Sequence, residues 1–250
     1  MKLENKELLE IATEVAKKAG QRLAKKSRSS LSLKKLQKHD IKLLEDEVTE
    51  KYIKKILIKQ TGIPVLGEED LVKPDFKSGK IWILDPIDGT VNYSRGIPIA
   101  SVSIGLWDNQ KPLIGVVYDF FNDIVYSGMV GYGAKRNGKK ISVSNNLTKN
   151  QSILLTGKPV KSDLSETLLK KWFKFFKDFQ KVRMIGSASI SLCYVASGIA
   201  DAYTEEHIQI WDVAAGLAIV SAAGGSISFN QTNQSEYSYF VKATNGKFKF

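Results

Sequence analysis

Three groups of acidic residues stand next to apolar runs, at points where strands or helices should begin or end. The segment Gly67–Asp70 (GEED) follows the short apolar run Ile63–Leu66. The segment Asp85–Thr90 (DPIDGT) follows the apolar run Ile81–Leu84, and Asp212 comes at the head of a run of small apolar residues. Carboxylates at the ends of buried elements can point into one site, so these groups are candidates for chemistry rather than for packing.

The group DPIDGT has the residue types of a magnesium site. Asp85 and Asp88 are three residues apart on a predicted turn, and Pro86 restricts the backbone between them. Carboxylate and carbonyl oxygens are the ligands that hard cations prefer. Gly89-Thr90 could open a helix whose free N–H groups face a phosphate. The alternative is that Asp88 and Asp212 only cap helices, but three such groups in one chain favour a metal site.

Four segments of the sequence carry a resemblance to a known family. They are GEED, WILDPIDGTVNY (Trp82–Tyr93), GSASISLCYVASGIADAYTE (Gly186–Glu205) and WDVAAG (Trp211–Gly216). In this order and spacing they resemble the inositol monophosphatase family of metal-dependent, lithium-sensitive phosphatases. The similarity runs from the first predicted helix to about Phe229.

The resemblance implies a set of metal ligands and neighbours. The ligands of about two or three Mg²⁺ ions would be Glu68, Asp85, the backbone carbonyl of Ile87, Asp88 and Asp212. Glu69 would be a neighbour of the metals. A lysine from the basic loop, which is Lys34, Lys35 or Lys38, would reach the phosphate or a third metal site.

The resemblance also implies which residues would act on water and substrate. Thr90, together with Glu68, would orient the water that attacks phosphorus, and Asp46 on the second predicted helix would support them. The N–H groups of Gly89 and Thr90 would hold the phosphate. Ala188 and Glu205 would contact the sugar-like part of the substrate.

The pattern of apolar residues predicts helices first, then strands, then a mixed half. This order is typical of a layered α+β protein, and the resemblance implies an α-β-α-β-α sandwich of the sugar phosphatase type. We expect one domain over residues 1–250, with lobes of approximately 1–152 and 153–250. The predicted helices are Leu3–Leu23, a second one with Leu44, Val48, Tyr52 and Ile56 on its apolar stripe and its end at Thr61-Gly62, Leu164–Phe179, Ala188–Ser197 and Val213–Ala223.

Short apolar runs bounded by turn residues predict the strands. They are Ile81–Leu84, Ala100–Trp107, Leu113–Tyr118, Ile124–Met129, Ile153–Thr156, Val182–Ile185, Ala200–Thr204 and Ser226–Phe229. Asn137-Gly138 predicts a tight hairpin turn. The polar, basic segment Ser27–Lys38 is predicted to be either a mobile loop or an extended edge strand. We expect it to order over the site when metal and phosphate bind.

Composition limits the classes of protein. The 250 residues include 37 Lys and Arg against 26 Asp and Glu, and the first sixty carry 16 of the former and 9 of the latter. A basic surface indicates either anionic partners or a solvated lysine-rich helix face. The single Cys193 excludes an internal disulfide and a multi-cysteine zinc site. With neither a signal peptide nor an apolar span, we expect a soluble cytoplasmic protein that binds no membrane and no nucleic acid.

The family resemblance implies a Mg²⁺-dependent phosphomonoesterase that hydrolyses inositol 1-phosphate, and fructose 1,6-bisphosphate as well, by attack of a metal-activated water. Val91 after DGT favours the inositol branch, since the nucleotide-bisphosphate branch has a lysine there. The alternatives are a nucleotide (3′-phosphoadenosine or NADP) phosphatase of the same family and a non-catalytic polyanion- or RNA-binding protein. We also predict a homodimer through Ile99–Leu106, with Tyr93 and Arg95 at the seam, unless that strand is central in its sheet.

Overall fold

The computed structural model describes residues 3–26, 33–37, 40–70, 73–75, 77–158 and 165–249. The helices are α1 (Asn5–Ala24), α2 (Leu44–Thr61), α3 (Thr90–Arg95), α4 (Glu166–Phe176), α5 (Ala188–Ala196) and α6 (Ile210–Ala222). The strands are β1 (Leu33–Gln37), β2 (Asp40–Leu43), β3 (Val65–Gly67), β4 (Lys80–Asp88), β5 (Ser101–Asp108), β6 (Lys111–Asp119), β7 (Ile124–Met129), β8 (Gly133–Arg136), β9 (Lys139–Ile141), β10 (Ile153–Thr156), β11 (Lys181–Arg183), β12 (Ala202–Gln209), β13 (Ser226–Gln231) and β14 (Ser238–Thr244).

The strands form two large sheets and one small hairpin. The larger sheet has seven strands in the order β3-β4-β5-β6-β7-β8-β9, and all its neighbours are antiparallel except β3 and β4. The second sheet has five strands in the order β11-β10-β12-β14-β13. Strands β1 and β2 pair with each other. The predicted turn at Asn137-Gly138 connects β8 to β9, and both of its residues have positive φ.

The two sheets and the helices alternate in layers, which confirms the α-β-α-β-α architecture. One apolar core lies between α1, α2 and the seven-stranded sheet. A second core joins the other face of that sheet to α5, α6 and the five-stranded sheet. A smaller cluster packs Phe175 and Phe176 of α4 on the outer face of the five-stranded sheet, against Leu154 and Ala202. The boundary between lobes near residue 152 stays a prediction.

A row of glycines across the larger sheet sets the position of α6. Gly105, Gly115 and Gly128 lie side by side on β5, β6 and β7. A Cβ at Gly105 would come within 2.9 Å of the Ala214 backbone, and one at Gly115 would overlap the Ala215 carbonyl oxygen. Helix α6 therefore rests on bare backbone, closer than any side chain would allow.

The predicted apolar stripe of α2 is wrong in its first half, while its second half, Tyr52 and Ile56, packs against the core. Leu44 and Val48 are 46% and 57% exposed, whereas Glu45, Asp46 and Glu50 are buried. Buried carboxylates need partners, and here Glu45 pairs with Lys26 at 2.7 Å and Glu50 with Lys54 at 2.9 Å. The prediction failed there because the first two turns of the helix place carboxylates inward, ahead of its buried apolar residues.

Strand β5 is not available as a dimer seam. It lies between β4 and β6, and Ser101–Trp107 is buried. The hydroxyl of Tyr93, predicted at the same seam, is directed inward and donates to the Leu23 carbonyl oxygen at 2.9 Å. This segment therefore belongs to the core of one chain, as its alternative interpretation held, and the homodimer itself stays a prediction.

Other differences concern lengths and ends. Residues 33–37 of the basic segment form β1, so the extended alternative holds there, while residues 27–32 and Lys38 lie outside the described residues. Strand β12 begins two residues later and ends five residues later than predicted, and the sequence analysis missed β14. Among the helices of the described ranges, none is both long and apolar enough to cross a membrane.

Substituting Gly115 tests the role of the glycine row. We expect Gly115→Ala to lower the free energy of unfolding by about 2 kcal/mol or more, because overpacking against backbone cannot be relieved by a rotamer change. Urea unfolding measures the loss. Ser127→Ala, on the neighbouring strand β7, is the matched control and should cost less. Equal stability of Gly115→Ala and the unsubstituted protein would contradict the close approach of α6.

Candidate active site

A β-bulge in β4 turns two aspartates toward the same side of the sheet. Asp85 pairs with Ser103 and Asp88 with Ser101, so three steps along β4 match two steps along β5. In a regular strand, residues three apart face opposite sides. The extra residue restores the same side for both carboxylates, and Pro86 sits within the bulge, where no ladder N–H is required. The sequence predicted a turn here, but the strand continues through Asp88.

The bulge also fixes the backbone between the two aspartates. Asp85 accepts a hydrogen bond from the Ile87 N–H at 2.9 Å. The Thr90 hydroxyl donates to the Ile87 carbonyl oxygen at 2.8 Å. Gly89 has φ +88°, and a Cβ there would come within 2.8 Å of the Ile99 carbonyl oxygen. Glycine is therefore required between Asp88 and Thr90.

Asp88 caps a helix, although not the one that follows it. Its carboxylate accepts the N–H groups of Ala188 at 3.2 Å and Ser189 at 2.9 Å, and the hydroxyls of Ser187 and Ser189. These residues begin α5, whose first N–H groups have no acceptor within the helix. The contact joins β4 of the seven-stranded sheet to the helix layer between the sheets. The sequence analysis quoted these serines without assigning them a role.

Asp212 lies in the first turn of α6. The helix begins at Ile210, so Asp212 is not the N-cap that the pattern predicted. The N-cap is Gln209, whose N–H donates to the Asp212 carboxylate at 3.2 Å. The Asp212 and Asp85 side chains also share a hydrogen bond. A proton shared by these two carboxyl groups would relieve their mutual repulsion, as a cation between them would.

Glu205 is placed by a second bulge, in β12. The pairing of β12 with β14 shifts between Glu205 and Ile208, where His207 has φ +63°. The Tyr203 hydroxyl donates to the Glu205 carboxylate at 2.8 Å. Tyr203 is a site residue that the sequence analysis missed, since a tyrosine in a strand gives no signal beyond packing.

Lys73 holds the segment that carries Glu68. Its ammonium donates to the carbonyl oxygens of Gly67 at 2.7 Å and Glu68 at 2.9 Å, and lies 4.0 Å from the centre of the Trp211 ring. Burial lowers the pKa of Lys73, while the nearby carboxylates of Asp70, Glu50 and Glu68 oppose that shift. Lys73 thus connects the end of β3 with the start of α6. A single lysine after an acidic group gave no sequence signal for this role.

The predicted site residues surround one cleft of about 470 Å³. Those that line it are Glu68, Asp85, Ile87, Asp88, Gly89, Thr90, Ala188, Glu205 and Asp212. Asp46 does not line the cleft; it is buried behind it and accepts the Leu43 N–H at 2.8 Å. Glu69 does not line the cleft either, and the side chains of the three candidate lysines, Lys34, Lys35 and Lys38, lie outside the described part of the structure.

The carboxyl groups of the cleft raise one another's pKa. Burial raises the pKa of Asp85 well above its usual range, and Glu68, Asp212, Asp88 and Asp46 add to the shift. Burial also raises the pKa of Asp212, followed by the charges of Asp88 and Glu205. These groups cannot all be ionised together at low cost.

Two further carboxyl groups show the same trend. Burial raises the pKa of Asp88, although the hydrogen bonds from Ser187 and Ser189 favour its charged form. Burial raises the pKa of Glu205 to about 7, against the hydrogen bond from Tyr203. A site with this much negative charge requires protons or a cation for stability.

The donor set fits a hard divalent cation. Carboxylates and the Ile87 carbonyl supply only oxygen, which suits Mg²⁺, and a cation would relieve the repulsion just described. Within the described ranges, no three acidic, cysteine or histidine side chains already converge on one point. Asp88 still directs its oxygens at α5. Cation binding therefore requires Asp88 to exchange some of these hydrogen bonds.

The fold is layered, and its acidic, oxygen-rich cleft lies between helix N-termini and the ends of both sheets. This arrangement is typical of enzymes that use metal ions to hydrolyse phosphate esters. The sequence model of the inositol monophosphatase family matches residues 4–243, and the chain belongs to that family.

Individual relatives support the same assignment. The chain is 35% identical over 181 residues to the fructose-1,6-bisphosphatase/inositol-1-monophosphatase of Aquifex aeolicus, covering 72% of this chain and 69% of that protein. It is 36% identical over 171 residues to the chloroplastic phosphatase IMPL1 of Arabidopsis thaliana, covering 66% of this chain but only 46% of that longer protein. The inositol monophosphatase structure from Anabaena (Nostoc) sp. PCC 7120 superposes with a TM-score of 0.82 at 31% identity, covering 97% and 92% of the two chains.

Neutralising Asp85 should stabilise the metal-free protein. Because the pKa of Asp85 is raised on folding, the folded state holds more protons than the unfolded state above about pH 4, and stability falls as pH rises toward the folded pKa. We expect Asp85→Asn to raise the melting temperature in a chelator at about pH 8, and to raise it less at about pH 5.

Thermal unfolding of both proteins at the two pH values measures this effect. Asp178→Asn, at a carboxylate 56% exposed on the surface, is the control and should change little. A lower melting temperature for Asp85→Asn at the higher pH would contradict the account of crowded carboxylates.

Proposed function

We propose that this protein is a Mg²⁺-dependent phosphomonoesterase that hydrolyses inositol 1-phosphate and fructose 1,6-bisphosphate. The observation that carries the proposal is the meeting of Glu68, Asp85, Asp88 and Asp212 in one cleft, from three separate segments of the chain. Membership of the inositol monophosphatase family supports the reaction class. The Aquifex relative, whose name includes both activities, supports the dual substrate range.

The metal ligands in this proposal are Glu68, Asp85, the Ile87 carbonyl oxygen, Asp88 and Asp212. When bound, about two or three Mg²⁺ ions would offset the charge of the phosphate, activate a water and stabilise the leaving oxygen. The mutual repulsion of Asp85, Asp88 and Asp212 supports this assignment, since a divalent cation favours the ionised forms that burial disfavours.

Thr90 and the backbone beside it orient the reacting groups. Because the Thr90 hydroxyl donates its proton to the Ile87 carbonyl oxygen, its oxygen remains an acceptor for a proton of the attacking water. Glu68 accepts a hydrogen bond from the other proton of that water. Asp46, which is buried behind the cleft, supports Thr90 and Glu68. The N–H groups of Gly89 and Thr90, in the first turn of α3, hold the phosphate oxygens.

Ala188 and Glu205 contact the polyol in this proposal. A carboxylate at Glu205 accepts hydrogen bonds from sugar hydroxyls, and Tyr203 keeps it in place. With a pKa of about 7 in the metal-free protein, Glu205 loses its proton more readily once a cation lies in the cleft. Substrate binding through Glu205 therefore strengthens from acidic to neutral pH.

Removing the charge of Asp88 tests the proposed chemistry. We expect Asp88→Asn to lower turnover of inositol 1-phosphate with Mg²⁺ at least about a hundredfold, because a ligand charge is lost. Cooperative thermal unfolding should persist, since an amide oxygen can still accept an N–H group of α5. Phosphate release and circular dichroism measure the two effects, with Asp178→Asn as the control.

A substrate panel distinguishes the proposal from its alternatives. Inositol 1-phosphate and fructose 1,6-bisphosphate should be hydrolysed with higher kcat/KM than 3′-phosphoadenosine 5′-phosphate or NADP. Preference for the nucleotides would place the chain with the nucleotide phosphatases. Substantial remaining activity in Asp88→Asn, or no hydrolysis of any of the four, would contradict the proposal.

We infer, from the family resemblance, that the protein forms a homodimer. With β5 buried, the exposed residues Arg95 and Ile97, which precede that strand, are the part of the predicted seam that a second copy can reach. Light scattering at micromolar concentration should give twice the chain mass of 27.8 kDa. A mass of one chain throughout that range would contradict the dimer.

A further inference from the structure

A second cavity lies beside the cleft, under helix α4. Its volume is about 400 Å³, which is within the range of small-molecule sites. Its apolar walls are the aromatic side chains of Trp172, Phe175 and Phe176 from α4 and Phe240 from β14. Lys171 and Lys242 also line it. None of the functions assigned above uses this cavity.

The second cavity adjoins the cleft through a shared wall. Thr156, Gly157 and Glu205 line both spaces. A Cβ at Gly157 would overlap the Glu205 carboxylate, so only bare backbone and that carboxylate separate the two. The route from the cleft to the aromatic walls therefore runs past the Glu205 carboxylate, and a group attached to a substrate held there lies next to it.

Helix α4 leaves its apolar face incompletely covered. No residue of α4 is buried, although the helix is strongly amphipathic. Trp172, Phe175 and Phe176 are half-buried around the cavity, and the Trp172 and Phe176 rings are 6.3 Å apart at their centres. Facing them, Lys242 Nζ lies 5.0 Å from the centre of the Phe240 ring. Aromatic faces of this kind stack on flat rings.

We propose that this cavity is an accessory subsite for a flat aromatic or heteroaromatic ring on the leaving group of a phosphomonoester. The inference rests on the proposed function, because the ester's phosphate must occupy the cleft while its ring enters the space under α4. The two spaces together accept an ester longer than a simple polyol phosphate. Compact esters use the cleft alone.

Two phosphate esters that both leave as primary alkoxides test the subsite. Ethyl phosphate and 2-(1-naphthyl)ethyl phosphate differ only in the ring. We expect the ring to raise kcat/KM about tenfold or more, from burial and stacking. Trp172→Ala should abolish most of this preference, and Trp172→Phe, which keeps a ring, should retain part of it. Phe173→Ala is the matched control, because Phe173 lies on the same helix and is 66% exposed.

The outcomes separate this proposal from the proposed function. Equal kcat/KM for the two esters, or an equal loss of preference in Phe173→Ala, would overturn the subsite while leaving the phosphatase activity intact. If neither ester is hydrolysed, hydrolysis of inositol 1-phosphate decides the proposed function, and calorimetry with 2-(1-naphthyl)ethanol decides the subsite. Binding that weakens in Trp172→Ala but not in Phe173→Ala supports it, and no binding to the unsubstituted protein overturns it.

Discussion

Crowding of buried carboxylates between the two sheets is the interaction on which the site depends. Asp85 and Asp88 enter from β4, Asp212 from α6, and Glu68 from the end of β3. Each of these groups would be better solvated elsewhere, and several raise the pKa of their neighbours. The fold tolerates them because, apart from the bonds of Asp88 to α5, the surrounding layers are held by contacts that do not involve these carboxylates.

Those contacts are made largely by backbone. The glycine row seats α6 on the seven-stranded sheet, and with it Asp212. The β4 bulge turns Asp85 and Asp88 to the same side, and Asp88 is then held by the first N–H groups of α5. Lys73 ties the Glu68 segment to Trp211. Rigid elements thus fix the positions of the acidic side chains, as preorganised sites require.

Most residues that line the cleft could be predicted from the sequence, but the way the fold brings them together could not. The segments around Asp85, Asp88 and Asp212 carry a dense family resemblance, and strands with apolar runs such as Ile124–Met129 and Ile153–Thr156 begin and end as predicted. The β4 bulge gave no signal, because one extra residue changes register without changing composition. The apolar stripe of α2 was misleading in its first half, since Glu45 turns inward to an ion pair with Lys26 from the end of α1.

The remaining errors of the sequence analysis concern residues whose position depends on a contact that the sequence pattern does not show. Asp212 lies three residues inside α6 because Gln209, an unremarkable cap from sequence, begins that helix. Ser101–Trp107 is buried on both faces because two helix layers cover it, a pattern that a dimer seam would share. Tyr203 acts on Glu205, two residues further along the same strand. For β5 and for Lys73, which contacts Trp211, the deciding partner is remote in sequence.

Proton release on Mg²⁺ binding is the most direct measure of the central claim. Calorimetric titrations with Mg²⁺ near neutral pH, in buffers of different ionisation enthalpy, give the number of protons displaced. If the carboxyl groups share protons in the metal-free protein, Mg²⁺ binding must release them, and the number must fall as the pH is raised. Tight binding with no proton release at any pH from about 6 to about 8 would contradict the account.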